Sequence, residues 1–105
     1  MSLDINNLAS EFGCTVEDIK ELIGSFIQES KDMFEVIILS LEGNDYESIN
    51  MGAESIKIGA QNLQLSDMQK IADEMLSCAV AQDKERCSET FATMQALLSE
   101  LEKAI

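Results

Sequence analysis

Apolar residues recur along the chain at steps of three and four almost from end to end, which is the period of a helix packed on one face. A first stretch, Leu3 to Phe12, places Leu3, Leu8 and Phe12 on one side, and Gly13 ends it. Thr15 then opens a longer helix. Asp18, three residues on, completes a capping-box-like pair. Val16, Ile19, Ile23, Phe26, Met33, Phe34, Ile37 and Leu41 form its buried face, and it runs to about Glu42. A third helix follows Asn44. At about 100° per residue, Ile49, Ala53, Ile56, Ala60 and Leu63 share its inner face, flanked by Gly52 and Gly59. Small residues on that face let a neighbouring helix come close. Ser66 is placed as the cap of a fourth helix, with Ile71, Met75, Cys78 and Ala79 inward. Asp83 caps a fifth, with Cys87, Phe91, Met94, Leu98, Leu101 and Ile105 inward. The breaks fall at Gly13, Gly43-Asn44, Gln64-Leu65-Ser66 and Gln82-Asp83. Four amphipathic helices joined by short loops predict an all-α, antiparallel up-down four-helix bundle from about Thr15 to Ala104. Leu3 to Phe12 is an extra short helix at one end.

Composition narrows this further. The chain has 105 residues, no proline and five glycines. That is room for one domain, residues 1–105, with little of the turn chemistry a sheet needs. The formal charge is −13. Nucleic-acid phosphates and anionic lipid headgroups repel such a surface, so the expected partner is a protein, with no nucleic acid and no membrane. Cys14, Cys78 and Cys87 have neither metal-knuckle nor redox-pair spacing and read as reduced thiols of a cytoplasmic protein. Cys78 and Cys87 lie on apolar stripes, while Cys14 precedes a helix, where thiols are more reactive. Met1-Ser2-Leu3-Asp4 opens no leader pattern, and the apolar run Val36 to Leu39 is too short to cross a bilayer. The acidic residues fall on outward faces. No nucleophile–base pair, phosphate-binding glycine loop or inward Glu-x-x-His pair is present. The chain is expected to be no enzyme and to need neither metal nor cofactor.

One segment carries more than architecture. Ala53-Glu54-Ser55-Ile56-Lys57-Ile58-Gly59-Ala60-Gln61-Asn62-Leu63 resembles the signature of the histidine phosphotransfer (HPt) family. There, Ala-His-x-Leu-Lys-Gly is followed by two small residues and Asn-Leu or a similar pair. Ala53, Lys57, Ala60, Asn62 and Leu63 fit, Ile56 replaces leucine conservatively, and Gly59 meets a small position. Leu39-Ser40-Leu41-Glu42-Gly43-Asn44-Asp45 looks like the loop into the histidine helix. The resemblance extends over about Thr15 to Ile105. It implies a phosphorelay module whose partners are a response-regulator receiver domain or a histidine kinase.

Two positions depart from the pattern. Glu54 stands where the phospho-accepting histidine would be, and Ile58 where the family usually has glycine. The chain contains no histidine at all. An acceptor for an aspartyl-phosphate must be a good neutral nucleophile near pH 7, which imidazole is. A carboxylate would form a mixed anhydride, high in energy and quickly hydrolysed. The resemblance thus implies a pseudo-HPt module that binds without passing phosphate. The helical wheel turns Asn50, Glu54, Lys57, Ile58 and Gln61 away from the core, with Met51 beside them, as a docking patch. Ile58 crowds the space that glycine leaves open. Glu54 is either part of this patch or a solvated helix residue that forms a weak i+3 pair with Lys57. The alternative for the whole chain is a small acidic helical adaptor or chaperone unrelated to phosphorelays.

Overall fold

The computed structural model describes residues 3–105; Met1-Ser2, half of the tetrapeptide read above for a leader, lies outside them. It contains five helices: α1 (Ile5–Phe12), α2 (Val16–Glu42), α3 (Tyr46–Asn62), α4 (Ser66–Val80) and α5 (Lys84–Lys103). No strand occurs among the described residues.

The helix ends follow local chemistry. Asp4, Asp45 and Asp83 each accept a hydrogen bond from the backbone N–H three residues on, satisfying one otherwise orphaned donor. At Thr15 the box closes both ways: the Asp18 N–H donates to Thr15 Oγ1 at 3.1 Å, and the Thr15 N–H donates to Asp18 Oδ2 at 3.3 Å. All four turns between helices are built alike. Gly13, Asn44, Gln64 and Gln82 take the left-handed conformation. The next residue's N–H then reaches back to a carbonyl of the last helical turn: Cys14 to Ala9, Asp45 to Ser40, Leu65 to Ala60 and Asp83 to Cys78, at 2.8–3.0 Å. The same short turn used repeatedly reverses the chain each time.

Ser66 is the first residue of α4, not its cap. Leu65 occupies the cap position; its hydrocarbon side chain has no atom to accept a capping bond and is buried in the core instead.

Helices α2 to α5 close a ring in which α2 packs on α3, α3 on α4, α4 on α5 and α5 back on α2. The direction of packing is read from close contacts. Phe26 faces Gly59 and Ile37 faces Gly52, so numbers rise along α2 as they fall along α3. Phe34 meets Phe91 edge-on across α2 and α5, with ring centroids 5.2 Å apart, a favourable arrangement of aromatic quadrupoles. Helix α1 packs on α2 alone. Its 8 residues cover about 12 Å, so it reaches only the start of that helix. The all-α, antiparallel four-helix bundle with a short N-terminal helix is therefore present as expected.

The core contains the expected α2 stripe, with Ile27, Ser30 and Ser40 added to it. Val16, Met33, Leu41 and Leu63 lie at its edge, half-buried, and Ile105 is exposed because α5 stops at Lys103.

Candidate functional site

The outward side of α3 follows from its inward side. Ile49, Gly52, Ala53, Ile56 and Ala60 are buried. The stripe opposite them runs Glu47, Met51, Glu54, Ile58 and Gln61, at alternating steps of four and three, and all five are exposed. Met51 is 66% and Ile58 50% accessible, large values for apolar side chains in the middle of a bundle helix. Glu54 stands between them. Among the described residues its carboxylate makes no hydrogen bond and no ion pair.

Two residues of the expected patch turn toward α4. Lys57 is half-buried, and its Nζ lies 2.9 Å from Asp73 Oδ1. The Asp73 hydrogen bond, then its charge, hold the Lys57 ammonium above the ordinary lysine range. The Glu54 carboxylate adds only a small further push. The pair expected between Glu54 and Lys57 is thus replaced by one across α3 and α4. Lys57 lies one step of 100° off the outward stripe, on the side where α4 packs. Asn50 is also half-buried and lines an open groove of about 510 Å³ between α3 and α4, with Tyr46, Met51, Ala79 and Val80.

On the opposite flank, α2 contributes a residue the sequence reading did not single out. Leu22 is 48% exposed and lines a shallow hollow with Phe26, Gly59, Asn62 and Leu63. It lies beside the core stripe formed by Ile19 and Ile23, and was legible only as a leucine on an otherwise polar face. Apolar surface thus flanks the central carboxylate from Met51 to Ile58, with Leu22 farther around the bundle.

No group of three or more metal-ligating side chains occurs among the described residues. No helix of the described residues is long and apolar enough to cross a membrane. Cys78 and Cys87 are buried between α4 and α5, with Cys78 Sγ 3.7 Å from Thr90 Oγ1. Burial, followed by the nearness of Cys78, pushes the Cys87 thiol up to about 11. Cys14 is half-buried at the α1–α2 turn.

The family model of the Hpt domain matches residues 21–104, most of the chain, taking in most of α2 and all of α3, α4 and α5. The chain belongs to the HPt family, a family of phosphorelay signalling modules. Comparisons with curated proteins and with solved structures give no significant match.

Proposed function

We propose that this chain is a pseudo-HPt module, one domain over residues 1–105, that binds a receiver domain or a histidine kinase in the cytoplasm without carrying phosphate. The observation that supports it is a family match over residues 21–104 in a chain without histidine. Glu54 occupies the position of the missing acceptor. Its carboxylate lacks the neutral nucleophilic nitrogen that accepts and releases a phosphoryl group. What the surface offers instead is contact. Met51 and Ile58 are exposed anchors, and buried apolar anchors supply most of the energy of a protein interface. Glu54, Gln61 and Asn50 fit a polar surround, and Lys57 contributes through its link to Asp73. The module acts by occupying or bridging its partner, not by catalysis. The family match counts against a helical adaptor that resembles the motif by chance.

The test has two arms. Receiver domains and kinase cores from the source organism are titrated against the intact chain by calorimetry. In parallel, a receiver loaded with radiolabelled phosphate is mixed with the wild type, Glu54→His, and Glu54→His with Ile58→Gly. The reading expects saturable binding by the wild type and no label on it. The single variant should accept label poorly and the double variant better, because removing Ile58 reopens the approach. Label retained on Glu54 at neutral pH, or no binding to any receiver or kinase, would refute it.

A further inference from the structure

Ser30 lies on the face of α2 that packs against α3 and is 2% exposed, yet its hydroxyl has no hydrogen-bond partner in the protein. The usual local solution is to donate to the carbonyl four residues back. Ser40 does so on the same helix, to Val36 at 2.7 Å. Ser30 does not, although the unpaired alternative is unfavourable for a buried hydroxyl.

Against Ser30 is a small cavity at the α2–α3 interface, with about 10 Å³ open to the centre of a water-sized sphere. That is the least space that holds one water. Its lining includes Ser30 and Glu29 from α2 and Ser55 from α3, with Phe26 and Gly59 supplying apolar wall. A buried water needs two to four polar partners; Ser30 is buried, and Ser55 and Glu29, both exposed residues, offer a second hydroxyl and a carboxylate. A larger ligand is excluded by volume. A metal cation is excluded by its need for about six oxygen ligands.

We infer that this cavity is a binding site for a single ordered water, which accepts or donates a hydrogen bond at Ser30 Oγ and bridges α2 to α3 through Ser55. The bridge has a consequence for the surface above it. Ser55 is the neighbour of Glu54, and Gly59 the neighbour of Ile58. A bond from α2 to this turn of α3 resists rotation of the helix, and so fixes the direction in which Glu54 and Ile58 point. The apolar contacts at Gly52 and Gly59 set how close the two helices come, and the water-mediated bond sets their relative turn.

The test is a crystal structure of the intact chain at a resolution that shows ordered solvent, with the same structure for Ser30→Ala and a thermal melt of each. The inference expects a density peak about 2.5–3.0 Å from Ser30 Oγ and within hydrogen-bond reach of Ser55 on α3; a peak held by α2 alone overturns it. The peak should be lost in Ser30→Ala. The melting temperature should fall by roughly 4–8 °C, the shift that loss of one hydrogen bond gives in a domain of this size. An empty cavity, or Ser30 turned onto the Phe26 carbonyl, overturns it. So does a peak that survives in Ser30→Ala. So does a variant that melts at the same or a higher temperature, since removing a dry, unpaired hydroxyl stabilises.

Discussion

Gly59 and Gly24 both sit within helices, and replacing each by alanine should stabilise only at Gly24. An alanine gains up to about 1 kcal/mol over glycine in a helix, from backbone entropy alone. At Gly24, in the middle of α2, an added Cβ meets nothing within 4 Å, so Gly24→Ala should realise most of that gain. At Gly59 the added Cβ would lie 2.9 Å from Phe26 Cδ1 and 3.1 Å from Cε1. Phe26 is 4% exposed, so its ring cannot swing into solvent. Either the ring leaves its rotamer or α3 shifts away from α2. Overpacking of this kind costs about 1–3 kcal/mol. Set against the helix gain, Gly59→Ala should be neutral to about 2 kcal/mol less stable than the wild type. The two variants should therefore differ by about 1–3 kcal/mol, the steric cost itself. Urea unfolding followed by far-UV circular dichroism reads this as a shift in midpoint at constant slope. A double variant, Gly59→Ala with Phe26→Leu, should recover part of the loss relative to Phe26→Leu alone, because the shorter side chain vacates the contact. If Gly59→Ala stabilises as much as Gly24→Ala, the close approach of α2 and α3 does not exist.

Three further outcomes are expected. Gln82→Gly should stabilise by about 1 kcal/mol, because Gln82 holds φ at 55° in the α4–α5 turn, a conformation costly for any residue with a Cβ; a thermal melt checks it. Ile58→Asp should leave the melting temperature nearly unchanged while weakening partner binding by about 2 kcal/mol or more; a large fall in melting temperature would show that Ile58 is core. The raised Cys87 thiol gives a pH signature. The unfolded chain loses its proton near 9 and the folded chain near 11, so the unfolded state binds fewer protons in that window. Stability should then fall as pH rises from 9 to 11, by up to about 1.4 kcal/mol per pH unit, and Cys87→Ala should flatten this slope in urea titrations.

Much of the fold was readable because period and caps are local. Thr15 and Asp18 lie three apart, Asp83 precedes an apolar run, and Ile49 to Ala60 alternate at helical spacing. Each of these needs only its own segment. What escaped the sequence depends on a second segment or on a choice between two roles. Ser30 and Ser40 are polar and so were not counted inward, although their places on α2 bury them. Ser66 reads as the cap because serine has a capping oxygen and leucine has none, yet Leu65 holds that position with its side chain buried. Lys57 had two carboxylates within reach. The one on its own helix was visible from spacing, while Asp73 comes near only once α4 has packed. Leu22 followed no stripe, and its exposure became meaningful only beside Gly59 and Leu63.

The position proposed above for the missing acceptor contributes little to the fold of this chain. Glu54 is exposed, makes no hydrogen bond or ion pair among the described residues, and lies opposite Ile49, Ala53, Ile56 and Ala60. Exchanging an exposed helix residue of ordinary propensity typically changes stability by no more than about 0.5 kcal/mol. The constraint on α3 falls instead on its small residues: Gly52 beneath Ile37 and Gly59 beneath Phe26 leave no room for a Cβ without displacement. The absence of histidine from the chain is therefore compatible with an intact bundle. The same decoupling makes the surface open to experiment. Glu54→His and Glu54→Gln should fold as the wild type does, so a change in partner affinity in either one reports on the proposed docking face and not on the bundle that presents it.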